Sequence, residues 1–345
     1  MRDASQPKST IGRFFEDFTL NETIDHPSPR TITEGDVALY HGLTGNRFVL
    51  QTSNQFARNV GYHAAPVDDI FVFNAVFGLS VPDISLNARA NLGYAECDFL
   101  SQLYVGETIR ARSTVIGLRE TSGGDAGIVY VRTEGLDHRD IELMRFCRWV
   151  LVPKRDPSVA TAANSVPELA PSVPSITVPR HKLNRHWVDR LAGSPYRWDD
   201  YQAGERIDHH HGVTIDDAEH KIATRLYRNP AHVHFDANKA EKGQPIVYGG
   251  HVISIARALS YNGLANACIV ASINGGRHIS PTYAGDTIYA WTEIAEKVEL
   301  EHRRDIGALR LVTRAMKNRS CEDFPGEDAD GCVLTLDYSV IVPRR

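Results

Sequence analysis

At 345 residues, with 42% hydrophobic and 23% charged side chains, the chain has the length and composition of two ordinary globular domains with real cores. A formal net charge of −5 gives no global attraction to nucleic acid or to an anionic membrane, so any anionic ligand must meet a local basic patch. Five scattered cysteines (Cys97, Cys147, Cys268, Cys321 and Cys332) form no CxxC pair, which argues against a disulfide framework or a zinc ribbon.

In chain order, "MRDASQPKST" opens without the apolar core of a signal peptide, and a cytoplasmic setting is expected. A short strand at "ETI" (Glu22–Ile24) and a Thr-Ile segment at Thr31 lead into a short helix, then a polar loop, "LTGNRFVLQ". The apolar helix "DIFVFNAVFGLS" follows; its surroundings are too short and interrupted to span a bilayer. Alternating strands come next: "TIRARSTVIGL", "GIVYVRTEGL" and "MRFCRWVLV". "TSGGDAG" lies between two of them and reads as a hairpin turn, since no helix follows to make it a phosphate loop. A Pro-, Ala- and Ser-rich stretch at 156–180 reads as a connector draped over a surface. The same order then recurs, with a polar loop "LYRNPAHVH", a helix "GGHVISIARALS", and strands "TIYAWTEIAEKV", "ALRLVTRAMKN" and "CVLTLDYSVIV".

The recurrence is literal. At a constant offset of 183, Asp17, Glu22, Ile24, Asp25, His26, Thr31 and Ile32 meet identical residues, from Asp200 to Ile215. "YVGETIRA" from Tyr104 matches "YAGDTIYA" from Tyr283, and the halves end in "VLVPKR" from Val150 and "VIVPRR" from Val340. A duplicated and fused ancestral unit explains this better than chance. The expected layout is one unit over 1–155, a connector over 156–180 and a second unit over 181–345. Each unit is α+β, one central helix packed on a curved antiparallel sheet; strands and helices do not alternate, which argues against a doubly wound fold.

With its two "YxGDT"-like strand entries and the "NPAH" string at Asn229–His232, the chain resembles the MaoC-like hydratases of the hotdog superfamily. In its double length and order it is most similar to the mesaconyl-CoA (2-methylfumaryl-CoA) branch. The resemblance implies a double hotdog fold and hydration of an enoyl-CoA, mesaconyl-CoA giving β-methylmalyl-CoA. It implies no cofactor beyond the CoA of the substrate. It also implies an Asp followed five residues later by a His, on the loop before the central helix. Two histidines could serve: His232 completes the literal string but has Tyr227 five residues earlier, whereas His234 has Asn229. At the repeat offset Asn46 faces Asn229 and Gln51 faces His234, which favours Asn229 and His234.

Histidine exchanges a proton near neutral pH, and Asn can accept from water or donate to substrate. Gly249 and Gly250 stand at the expected N-terminus of the second central helix, where free N–H groups can hold a thioester oxyanion. The first half has Asp68 and Asp69 there, which would cap a helix but repel an oxyanion. The second half is therefore read as catalytic and the first as shaping the acyl-CoA cleft. A distal carboxylate calls for an arginine, and Arg47, Arg58, Arg228 and Arg277, with His232, are the candidate substrate contacts.

Blander readings stand beside these. His-x-His is often surface polarity, and the two glycines may serve only tight packing. His232, His234 and Asp236 lack a distant third ligand with metal-site spacing, so no metal is expected. Consecutive His209, His210 and His211 point to alternate faces and read as an exposed strand segment. A hotdog thioesterase and a non-enzymatic acyl-CoA-binding module are the rival functions. No nucleic-acid or membrane partner is expected, while pairing of the pseudo-dimeric chain into a homo-oligomer is left open.

Overall fold

The computed structural model describes residues 8–159, 161, 164–180, 182–183, 186–240 and 243–345. Residues 1–7 of the opening segment, 160, 162 and 163 of the connector, and 181, the expected first residue of the second unit, lie outside the described residues.

Strands β1 (Thr23–Asp25) and β2 (Arg30–Thr31) lead into helix α1 (Glu34–Thr44), followed by short helices α2 (Val49–Thr52) and α3 (Asn54–Asn59) and the long helix α4 (Asp69–Ile84). Four strands complete this half: β3 (Ala90–Phe99), β4 (Thr108–Glu120), β5 (Ala126–Leu136) and β6 (Glu142–Pro153). After β7 (Asn164–Ser165) and α5 (Asp189–Ala192) come β8 (Arg206–Asp208), β9 (Val213–Thr214), α6 (Asp217–Leu226), α7 (Gly249–Leu259) and α8 (Tyr261–Leu264). Strands β10 (Ile269–His278), β11 (Thr287–Glu299), β12 (Ile306–Lys317) and β13 (Cys332–Pro343) end the chain.

Local chemistry sets the helix ends. Thr33 and Asp36 form a reciprocal capping box at the start of α1, and Gly45, at φ 70°, turns the chain out of it. Asp68 caps α4 by accepting from the amides of Ile70 and Phe71. The segment read as a polar loop in the first half, Leu43–Gln51, instead begins in the last turn of α1 and runs into α2, with α3 directly after it. Phe48, Val49, Leu50 and Phe56 are all buried there, so burial overrode the loop-like composition.

Among the described residues thirteen strands form one antiparallel sheet, whose main path runs β1-β4-β5-β6-β3-β10-β13-β12-β11-β8. The two halves join where β3 pairs with β10, with Cys97 opposite Ile273 and Tyr94 opposite Gly276. The helices α4 and α7 pack on the sheet and against each other. Asn74 of α4 ties them, its Nδ2 donating to the Gly250 carbonyl and to Ser254 Oγ, each at 3.1 Å. Phe71, Phe73, Phe77 and Phe146 fill the first half of the core, each burial contributing about 1.5–3 kcal/mol. The connector lies along the sheet: β7 pairs with β4, Ala170 N donates to Glu96, and Val173 N to Asn274.

The repeat carries into side-chain geometry. His26 Nε2 lies 2.7 Å from Ser113 Oγ, and His209 Nε2 lies 2.8 Å from Thr292 Oγ1 at the matching place in the other half. The reading of His209–His211 as an exposed strand is therefore corrected. Strand β8 ends at Asp208, and His209 is fully buried, its Nδ1 2.7 Å from the Asn262 carbonyl oxygen where His26 Nδ1 meets Asp83 Oδ2 at 2.8 Å. Only His210 and His211 face outward. All five cysteines are buried and free. Among the described residues no helix is long and apolar enough to cross a membrane, and no three metal-ligating side chains converge.

Candidate active site

Helix α6 ends at Leu226, and the chain turns sharply through Arg228, whose φ of 55° is a left-handed value uncommon for a side-chain-bearing residue. Asn229 N returns to the Thr224 carbonyl, and Asn229 Oδ1 accepts from Ala231 N at 3.0 Å. Asn46 does the same in the first half, its Oδ1 accepting from Phe48 N at 2.9 Å. The chain then makes one 3-10 turn at His232–His234. Ile246 N donates back to Val233 O, and His234 Nδ1 lies 2.8 Å from the Ile246 carbonyl oxygen.

That contact fixes the tautomer. A carbonyl only accepts, so Nδ1 carries the proton and Nε2 keeps its lone pair. Burial pushes the His234 imidazole down to about 4, against the opposing effect of the Ile246 carbonyl, so the ring is a neutral base at neutral pH. Its edge meets the Tyr248 ring, with centroids 5.5 Å apart.

His234, Asn229 and Gly249 line one cavity of about 280 Å³ between the halves. Asn229 Nδ2 has no acceptor among the described residues and is available to a ligand. Helix α7 opens with Tyr248 at its N-cap and no side chain capping it, and the amides of Gly249 and Gly250 have no acceptor among the described residues. In the first half Asp68 stands at the N-cap and itself accepts from the amides of Ile70 and Phe71, the second and third residues of α4, which correspond to Gly250 and His251. Asp69 beside it is half-buried and pushed up to about 8 by desolvation and then by Asp68, while its carboxyl accepts from Val270 N. The two glycines face different neighbours. A Cβ on Gly249 would come within 2.4 Å of the His278 ring, and one on Gly250 within 1.9 Å of Asn74 Oδ1. Gly249 therefore adjoins the cavity, and Gly250 sets the approach of α7 to α4.

The other candidates lie elsewhere. His232 is exposed and does not line the cavity. Arg47 stacks on Tyr261 at 4.5 Å, Arg58 bonds the His63 carbonyl, and Arg277 pairs with Glu327 at 2.7 Å. Arg228 borders a separate surface groove, and its Nη1 donates to the Ser28 carbonyl. In their place the cavity is lined by residues the sequence reading passed over: Tyr94, Arg148, Tyr248 and His278. Tyr94 OH and His278 Nε2 share a 3.1 Å hydrogen bond, and burial pushes the His278 ring down to about 4. One signal for Arg148 was available. On β6 the inward register reads Met144, Phe146, Arg148, Val150 and Val152, and a cation in that series is out of place.

The family model for mesaconyl-CoA hydratase matches residues 3–327. The chain belongs to the mesaconyl-CoA hydratase family. It is 52% identical to the beta-methylmalyl-CoA dehydratase of Chloroflexus aurantiacus, over 98% of this chain and 99% of that one. It is 49% identical to the mesaconyl-CoA hydratase of Cereibacter sphaeroides, over 98% and 100%. The crystal structure of a putative MaoC domain protein dehydratase from Chloroflexus aurantiacus superposes with a TM-score of 0.95 at 52% identity, covering 99% of this chain and all of that one. A Mycobacterium tuberculosis protein with a double hotdog fold matches at a TM-score of 0.76 and 23% identity, a likeness of fold alone. The double hotdog architecture expected from the sequence is the one this family member has.

Replacing Gly249 with Ala tests what the first glycine of α7 does. The added methyl must displace the His278 ring while leaving helix propensity improved, so turnover should fall ~10- to 100-fold with little change in melting temperature. Wild-type turnover in this variant would leave Gly249 a packing residue only.

Proposed function

We propose that the protein catalyses the reversible hydration of mesaconyl-CoA to β-methylmalyl-CoA, at one site per chain in the second half. The observation that carries the reading is the His234 tautomer: Nδ1 is committed to Ile246 O, leaving a neutral Nε2 lone pair in a cavity beside an uncapped helix terminus. The named activities of the two relatives support the choice of substrate.

In this reading water adds to the carbon β to the thioester, and His234 Nε2 takes its proton. Electron density moves to the thioester oxygen, which the Gly249 and Gly250 amides meet at the positive end of the α7 dipole. The His234 imidazolium then returns that proton to the α carbon, which regenerates the neutral base and completes the hydrated thioester. Asn229, with Oδ1 held by Ala231 N, offers its Nδ2 to substrate and does not itself exchange protons. The thioester acidifies the α carbon on its own account, so the chemistry calls for no metal or redox cofactor. Incubation with mesaconyl-CoA, following enoyl-thioester absorbance and free thiol together, tests the proposal. Absorbance should fall with no thiol released; thiol release would mean hydrolysis, and no change would refute the assignment.

A base with so low a pKa has a visible consequence. His234 must be neutral to accept from water, so kcat/KM should hold as pH drops through 6 and decline only near 4. An acid limb near 6.5 would contradict this. The measurement needs brief exposure to acid, because His209 and His251 are also buried and pushed down, to about 4 and about 3. The unfolded chain takes up those protons below about 6.5 and the folded chain does not. Stability is thus present above 6.5 and erodes toward 4, on the order of 1 kcal/mol per pH unit for each of these two histidines.

A further inference from the structure

Arg148 is fully buried on β6, yet no carboxylate meets it. Its Nη1 donates to Ser85 Oγ at 3.1 Å and its Nη2 to Ser80 Oγ at 2.8 Å, both neutral hydroxyls at or near the end of α4. The guanidinium lies over the Phe77 ring at 4.0 Å, and its buried Nε has no partner among the described residues. Burial pushes it down to about 10, and the ionisable groups acting against that are the phenols of Tyr248 and Tyr94, neither of them an anion at neutral pH. Tyr94 sits directly opposite Arg148 in the β3–β6 ladder. A buried cation left without a counter-charge costs several kcal/mol, and proteins ordinarily pair it.

The surroundings show where the counter-charge belongs. Arg148 lines the same cavity as His234, and no Asp or Glu lines it. The second arginine of that lining, Arg89, is half exposed and already paired with Asp125 at 2.7 Å. Two further lining residues hold buried polar atoms without partners: the Tyr248 hydroxyl, and both amide atoms of Asn91. A guanidinium with neutral donors around it and no acid is the arrangement that receives a ligand carboxylate.

We propose that Arg148, contributed by the first half of the chain, binds the distal carboxylate of the acyl group and sets the preference for dicarboxylic acyl-CoA. This rests on the hydratase reading for its substrate, and it assigns to Arg148 the role for which the sequence offered Arg47, Arg58, Arg228 and Arg277. In mesaconyl-CoA that carboxylate is bonded to the very carbon that water attacks, so a grip on it also positions the reacting carbon near His234.

The test measures binding and turnover separately. Calorimetry compares succinyl-CoA with butyryl-CoA, which differ at the carboxylate, on the wild-type protein, Arg148→Met and Arg148→Lys. Wild type should bind succinyl-CoA at least ~30-fold more tightly; Arg148→Met should erase the preference and leave butyryl-CoA within ~3-fold, and Arg148→Lys should keep part of it. Hydration of mesaconyl-CoA by Arg148→Met should fall ~100-fold or more. The assignment is overturned if wild type shows no preference, if the preference survives in Arg148→Met, or if both analogues weaken equally, which is what a structural role alone would give. Failure of the wild-type protein to hydrate mesaconyl-CoA would remove the proposed reaction while the analogue preference still reports on Arg148.

Discussion

Replacing His234 with Gln should lower the rate of mesaconyl-CoA hydration by ~100- to 10,000-fold with little change in substrate affinity, the loss expected for a missing general base. Gln is a fair probe because it can still donate to the Ile246 carbonyl from a similar place, as Gln51 does in the first half, where its Nε2 donates to the Cys268 carbonyl at 2.7 Å. What it cannot do is accept a proton from water. His232→Gln is the companion variant. Its ring is exposed and off the cavity lining, so turnover should stay within ~3-fold of wild type. Near-normal turnover in a folded His234→Gln protein, or the opposite ranking of the two variants, would move the base elsewhere.

The second large effect is expected far from any proton. Gly78 lies mid-way along α4, and a Cβ there would stand 1.7 Å from the Tyr227 carbonyl oxygen and 2.8 Å from its carbon. Both are backbone atoms, so no side chain can swing aside to make room. Gly78→Ala must push α4 away from the turn that carries Arg228 and Asn229, or push the turn away from α4. We expect a loss of ~3 kcal/mol in stability and, in whatever folds, a ~100-fold fall in turnover as Asn229 and His234 shift. Thermal unfolding and steady-state kinetics on the same preparation check it. A variant with unchanged melting temperature and unchanged turnover would mean that the helix and the turn are not locked together.

The repeat made the architecture legible before any coordinates, because identical residues at a fixed offset survive duplication. It also chose His234 over His232. The strands that join the halves were missed. On β3 most residues from Gly93 to Phe99 are buried whichever way they point, and β10 is buried along nearly all of its first half, so neither shows the alternation that marks a strand with one wet face. Those two strands carry Tyr94 and His278, and two cavity residues went unseen with them. The arginine candidates lie off the cavity for a different reason. They were chosen for nearness in sequence to the expected cleft, whereas Arg148 reaches it from β6 of the other half, a proximity created only by the packing of α4 against the catalytic turn.

A cavity walled by both halves bears on why the chain is fused at all. In an assembly of two identical subunits, symmetry writes every substitution twice, once into each of the two equivalent clefts. Matching the closing strands of the halves, Val150 with Val340, sets Arg148 against Tyr338. Tyr338 is a neutral phenol, buried, with its hydroxyl 3.1 Å from Thr313 Oγ1. A symmetric ancestor carrying arginine at this position would have buried two guanidiniums, one in each of two identical clefts, and each would need an anion to neutralise it. Joining the copies end to end lifts that constraint. Each half then evolves as a distinct gene segment, one keeping the proton chemistry and the other free to hold a cation that a homodimer would have had to tolerate in duplicate.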